Sequence, residues 1–187
     1  MMGPPYSGKG TQCQLIEKEF GYKQISLGEL CRNEKDKNTE FGQIIDKQEE
    51  TGSLVPNFII KKLFNNAIND NKFEKGIIID GYPRTIEQVD DLFNIFKQYN
   101  LSIDNIFNLE VDLNILLERA KERAKNSTRK DDKNTQIHLN RINIFNKTTK
   151  PCIDYISKKA PVISINGELN ADAVYNTIRN KLIYELI

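Results

Sequence analysis

The chain has 187 residues, 39 % hydrophobic and 28 % charged, with a formal net charge of +1. That length suits one domain, 1–187, with small insertions. Near-neutrality gives no whole-molecule attraction to nucleic acid or to a membrane surface, and no apolar run approaches the roughly 18 residues that span a bilayer.

Met1 and Met2 stand before Gly3-Pro4-Pro5-Tyr6-Ser7-Gly8-Lys9-Gly10-Thr11. The stretch fits the G-x-x-x-x-G-K-[ST] phosphate loop up to the lysine, then places Gly10 ahead of the hydroxyl residue Thr11. Successive N–H groups of such a loop point inward as an anion nest. A helix follows over 11–20, and its N-terminal partial charge favours phosphate. Lys9 adds a mobile ammonium. The structural alternative is a Gly/Pro-rich turn that contains a lysine; pattern and following helix together weigh against it. A phosphate loop normally follows a β-strand. The first strand is therefore expected to be missing upstream of residue 3 through a truncated start, and an upstream targeting segment stays open.

The ending Lys9-Gly10-Thr11-Gln12 resembles the adenylate kinase family of nucleoside-monophosphate kinases. The resemblance implies an α/β P-loop NTPase fold, with a parallel sheet covered by helices on both faces, a small NMP-binding arm and a short lid. It also implies that Gly3, Tyr6, Ser7, Gly8, Lys9, Gly10 and Thr11 hold the phosphates of ATP. Tyr6 stands where glycine is usual. A positive φ there would strain a tyrosine.

Residues 22–26 read as a strand. Ser26 and Glu29 then form a capping box for a helix. Ser26-Leu27-Gly28-Glu29-Leu30-Cys31-Arg32 also resembles the family's Ser-x-Gly-Asp-Leu-x-Arg motif. By that resemblance Arg32 grips the acceptor phosphate, as a planar guanidinium can. Leu27 replaces a common threonine, and Glu29 is also seen in uridylate/cytidylate kinases, so the acceptor base stays open here. Residues 33–56 carry only a thin apolar stripe, Phe41, Ile44 and Ile45. The resemblance makes 27–57 the acceptor arm, with Leu27 and Val55 against the base. Asn57 is read as the cap of a helix that turns Phe58, Ile59, Leu63, Phe64 and Ala67 inward.

Gly76-Ile77-Ile78-Ile79-Asp80-Gly81-Tyr82-Pro83-Arg84 is the second strong signal. Three isoleucines read as a buried parallel strand, and Asp80 ends it, where open α/β sheets bind ligands. A carboxylate there suits Mg²⁺, held through water; the structural alternative is a plain Asp-Gly turn. Asp-Gly-Tyr-Pro-Arg matches the family signature. The resemblance adds Gly81 and Arg84 to the acceptor site, and Gln88 as the adenine reader. Thr85 is not the asparagine typical of uridylate/cytidylate kinases, so this stretch favours AMP. A helix over 85–99 turns Ile86, Val89, Leu92, Phe93 and Phe96 to the core. A strand over 106–111 follows, and Asp112 caps a helix over 113–123. Such alternation implies a doubly wound parallel sheet.

The chain has 20 lysines and only 7 arginines, a bias that resembles genome composition and makes each arginine informative. Arg123, Arg129 and Arg141, with Asp131 and Asp132 between, would alone read as a solvated surface. In the family such arginines close over the transferring phosphoryl group, with Arg123 on ATP, and Arg129 and Arg141 on the acceptor side. The lid, 123–135, is too short for a zinc-bearing insertion. Helices continue over 136–158 with Pro151 opening one. A last strand spans 162–165, and a closing helix 171–184.

His138 is the sole histidine, which excludes a Ser-His-Asp or multi-histidine metal mechanism. Cys13, Cys31 and Cys152 are odd in number and far apart, neither a disulfide framework nor a zinc site, and fit a reduced compartment. The expected reaction is ATP + NMP ⇌ ADP + NDP with Mg²⁺, AMP being the favoured acceptor and Lys9, Arg84, Arg123, Arg129 and Arg141 the catalytic set. The alternatives are a UMP/CMP kinase and a catalytically weak nucleotide-binding relative. A cytoplasmic monomer without nucleic-acid or membrane partners is the default expectation.

Overall fold

In the computed structural model, which describes residues 1–70, 73, 75–126 and 134–184, strands and helices alternate in the expected order. The elements are α1 (Lys9–Phe20), β1 (Lys23–Ser26), α2 (Leu27–Asp36), α3 (Glu40–Thr51), α4 (Asn57–Asn69), β2 (Ile77–Asp80) and α5 (Ile86–Gln98). Then come β3 (Ile106–Glu110), α6 (Leu113–Asn126), α7 (Thr135–Ile144), a π-helical turn (Phe145–Thr149), α8 (Lys150–Ile156), β4 (Val162–Asn166) and α9 (Ala171–Tyr184).

The sheet is built from two parallel pairs. Ile25 of β1 lies opposite Ile79 of β2, and Phe107 of β3 opposite Ile163 of β4. Met1 and Met2 lie between the pairs. The Met1 nitrogen donates to Ile79 O at 2.7 Å. Met2 N–H donates to Phe107 O at 2.7 Å, and Met2 O accepts from Leu109 N at 2.9 Å. One residue of ladder thus occupies the place where the sequence reading leaves a gap. The hydrogen bonds satisfy inner-edge backbone groups of β2 and β3 that burial would otherwise penalise. The order across the molecule is β1, β2, the Met1–Met2 bridge, β3, β4.

Alternation along the strands sends side chains to two cores. Ile25, Ile59, Phe64, Val89, Leu92, Phe96 and Ile106 pack on one face. Cys13, Ile16, Ile78, Phe107, Leu109, Ile165 and Ile178 pack on the other, beneath α1 and α9. Helices therefore cover both faces of a parallel sheet, the P-loop NTPase arrangement.

Several helix starts match their caps. Ser26 Oγ accepts from Glu29 N at 3.4 Å, Thr85 Oγ1 from Gln88 N at 3.2 Å, and Asp112 Oδ1 from Asn114 N at 2.8 Å. The α4 reading needs correction. Pro56, not Asn57, is the N-cap, and Asn57 instead donates Nδ2 to Asp91 Oδ2 at 2.8 Å. Phe58 is 59 % exposed, while Ile60 and Ile68 are buried beside Ile59, Phe64 and Ala67. The apolar stripe is rotated relative to the expected one because α4 packs against α2 and α5, while Phe58 in the exposed first turn meets the Phe41 ring edge-on. Ile86 is likewise exposed in the first turn of α5. The three cysteines are buried and free. Burial pushes the Cys13 and Cys152 thiols up to about 12 and Cys31 up to about 11. No helix among the described residues is long and apolar enough to cross a membrane.

The α4 correction has a measurable consequence. Phe64→Ala empties a fully buried site and is expected to cost about 3–5 kcal/mol in urea unfolding. Phe58→Ala is expected to cost less than about 1 kcal/mol. Equal losses would contradict this packing.

Candidate active site

A cleft of about 980 Å³ lies where β1 and β2 end, walled by the 3–8 loop, α2, α3 and the facing ends of α6 and α7. It is at the large end of small-ligand sites, which run to roughly 1,000 Å³.

The loop leaves Met2 and enters α1 through Gly8, whose φ of 94° is left-handed. Lys9 folds back over this loop. Its Nζ donates to Gly3 O at 2.9 Å, Pro4 O at 2.7 Å and Ser7 Oγ at 3.4 Å. Burial lowers its pKa to about 8, opposed by the Asp80 carboxylate. Gly10 and Thr11 line the cleft, whereas Ser7 is buried behind it.

Tyr6 has φ 68°. The left-handed conformation costs a residue with a Cβ about 1–2 kcal/mol, so the strain anticipated from sequence is present. The side chain reaches residues of α6 and α7. Its hydroxyl lies 2.5 Å from His138 Nδ1 and accepts from Arg141 Nη1 at 3.4 Å. The Arg123 guanidinium carbon sits 5.8 Å from the centre of its ring, within cation–π range.

On the acceptor side, two glycines make room for two arginines. A Cβ at Gly28 would come within 3.2 Å of Arg32 Nη1, and one at Gly81 within 3.0 Å of Arg84 Nη2. Arg84 Nε donates to Gly81 O at 2.7 Å, and Arg84 N to Gln88 Oε1 at 2.8 Å. Thr149 Oγ1 donates to Arg84 O at 3.1 Å. Burial lowers the Arg84 pKa, with Cys31 and Asp80 acting against it. Leu27, Val55 and the buried Gln88 complete this end of the cleft.

Asp80 ends β2 in the floor, 3.6 Å from where a Gly10 Cβ would lie, and accepts from Gln24 Nε2 at 3.5 Å. A hard oxygen donor beside a phosphate loop fits Mg²⁺, which binds few protein carboxylates and takes phosphate oxygens besides.

Of the sequence-derived candidates, Gly3, Tyr6, Gly8, Lys9, Gly10, Thr11, Leu27, Arg32, Val55, Asp80, Gly81, Arg84, Gln88, Arg123 and Arg141 all line this cleft. Arg129, with Asp131 and Asp132, lies outside the described residues. Two residues were missed by sequence reasoning. His138 is 4 % exposed and meets Tyr6; its place one turn before Arg141 on α7 was the available signal. Arg119 donates to Gly167 O at 2.8 Å, Glu168 O at 3.1 Å and Ser7 O at 3.4 Å. It ties the phosphate loop to the turn after β4. Its place one turn before Arg123 on α6 was the signal there.

Lys9, Arg32, Arg84, Arg123 and Arg141 line one cleft beside the 3–8 loop, together with Lys35 and five carboxylates, Asp80 among them. Loop, parallel sheet and strand-end carboxylate place the chain among the P-loop NTPases. A family model described as adenylate kinase matches residues 1–161. The chain is 34 % identical over 182 residues to an adenylate kinase of Azobacteroides pseudotrichonymphae, covering 97 % of this chain and 95 % of that one. It is 35 % identical over 179 residues to an adenylate kinase of Parabacteroides distasonis, covering 96 % and 94 %. An adenylate kinase of Methanosarcina barkeri is 33 % identical over 205 residues, with 96 % and 95 % covered. The chain belongs to the adenylate kinase family.

The position of Lys9 sets a pH dependence. Its folded pKa of about 8 lies below the ordinary lysine value of 10.5. Between those values the unfolded chain binds more protons, so this group adds stability as pH rises. Wild-type stability in urea, relative to Lys9→Met, is expected to climb from pH 7.5 to pH 10 (about 2.5 pH units). A constant difference would show that Lys9 is not desolvated.

Proposed function

We propose that the cleft seats ATP and AMP with their phosphates facing. The chain is a nucleoside-monophosphate kinase that catalyses ATP + AMP ⇌ 2 ADP. The observation that carries the assignment of residues is convergence. Lys9, Arg32, Arg84, Arg123 and Arg141 line one cleft together with Asp80.

The N–H groups of the 3–11 loop and the Lys9 ammonium would take the ATP phosphates. Lys9 already reaches across the loop, so it needs only to exchange carbonyl oxygens for phosphate. Arg32 and Arg84 would hold the AMP phosphate, with the Arg84 backbone locked by Gln88 and Thr149. Gln88 has its Oε1 on the Arg84 N–H, which leaves its amide nitrogen as the donor for a base. Leu27 and Val55 supply apolar contact. Thr11 and Asp80 would hold Mg²⁺, which when bound neutralises charge on the transferring phosphates.

An AMP phosphate oxygen forms the new bond to the γ-phosphorus as the bond to the ADP leaving oxygen breaks. The nucleophile is already ionised, so no general base is required. Positioning and electrostatics dominate such a transfer. Arg123 and Arg141, with Arg129 outside the described residues, would stabilise the spreading charge. The arm of α2 and α3 would shield the site from water and so limit ATP hydrolysis. We place UMP and CMP below AMP as acceptors. The relatives are named adenylate kinases, and Gln88 and Thr85 agree with them against Glu29. The protein is proposed to act as a monomer.

Lys9→Met and Arg84→Ala are each expected to lower kcat by about 100-fold or more in a coupled ADP assay. Near-normal turnover in either purified variant would remove that residue from the machinery. Wild-type enzyme given ATP and each of AMP, UMP, CMP and GMP should show its highest kcat/KM with AMP.

A further inference from the structure

Glycine would hold the 3–8 loop at φ 68° without strain, yet this position carries a tyrosine. The tyrosine makes contacts that glycine cannot. Its ring lies under Arg123 near the end of α6, and its hydroxyl meets both Arg141 and His138 of α7. The two helices are joined by a segment that includes the lid, so Tyr6 binds the phosphate loop to both flanks of that segment at once.

The hydrogen-bond chemistry gives this cluster a direction. A guanidinium can only donate, so Arg141 Nη1 donates to the phenol oxygen. The same phenol oxygen lies 2.5 Å from His138 Nδ1. The Arg123 guanidinium meets the face of the same ring, whose negative potential attracts a cation. Burial strengthens the Tyr6–His138 contact, since His138 is 4 % exposed.

Resting on the reading of the cleft as a site of phosphoryl transfer, we infer that Tyr6 is a positioning residue that aims Arg123 and Arg141 at the transferring group. Two guanidinium groups repel one another. A neutral ring face for one and a hydroxyl oxygen for the other help to hold both beside the phosphate loop. The arginines are then in place when charge develops, which lowers the reorganisation that the transition state requires. His138 orients the phenol through the hydrogen bond at Nδ1 and does not itself touch substrate.

The test compares Tyr6→Gly and Tyr6→Phe with wild type, measuring kcat and KM for ATP and AMP and the thermal midpoint of each protein. Tyr6→Gly removes strain together with every contact. It is expected to fold at least as stably as wild type while losing about 30-fold or more in kcat, with KM for ATP within about threefold. Tyr6→Phe keeps the ring and loses the hydroxyl, and is expected to lose about tenfold in kcat. A Tyr6→Gly enzyme with wild-type kcat would overturn the inference, whatever its KM. If Tyr6→Gly does not fold, Tyr6→Phe decides, and unchanged kcat there has the same force. Wild-type protein that makes no ADP from ATP and AMP would overturn the proposed function and this inference together. Active wild type with an unimpaired glycine variant overturns this inference alone.

Discussion

Like charges crowded into one cleft are the constraint to which the rest of the molecule answers. Six cationic side chains, Lys35 among them, line the same space together with five carboxylates, and the cations repel one another. Nearby groups hold them apart and in place. Lys9 lies on the carbonyls of Gly3 and Pro4, Arg84 on the carbonyl of Gly81, and Arg123 and Arg141 on Tyr6. Asp80 is the carboxylate at the floor beside them. Carbonyl oxygens and an aromatic face are weaker partners for a cation than phosphate oxygens are. An incoming polyphosphate can therefore displace them. The net charge of +1 says nothing of this, because the field is set by local arrangement rather than by the sum.

The sheet fixes where that arrangement occurs. Parallel strands end on a common edge, so the loop after Met2, the carboxylate after Ile79 and the helix after Ser26 all open on one side. The two cores on opposite faces hold the strands in register, and the Met1–Met2 bridge joins the outer pairs across the middle. Arg119 adds a second restraint, since it holds the carbonyls of Ser7, Gly167 and Glu168 together. The phosphate loop is thereby anchored at its base.

What the sequence made legible was chemistry packed into contiguous residues. The 3–11 loop and the 76–84 stretch each carry backbone geometry, a charged side chain and a secondary-structure boundary within nine positions, so local rules identified them. Contacts between distant segments were not legible. Tyr6 and His138 are 132 positions apart, and nothing in either neighbourhood announces the pair. Phe58 was assigned to the core because it is aromatic and sits in a helical repeat. Helix phase depends on what the helix packs against, here α2 and α5, which the local pattern of α4 does not encode. Met1 and Met2 make a bridge and not a strand, a pairing of backbone groups that leaves no pattern in the side chains.

The central claim is that one cleft takes two nucleotides joined through their phosphates. Thermal unfolding with a bisubstrate dinucleotide, two adenosines linked by five phosphates, tests it most directly. A ligand that binds only the folded state raises the midpoint in proportion to the logarithm of its affinity. The account predicts a shift clearly larger than that from ATP and AMP added together at the same concentrations, because one molecule fills both halves of the cleft. A shift no greater than that of ATP alone would contradict it.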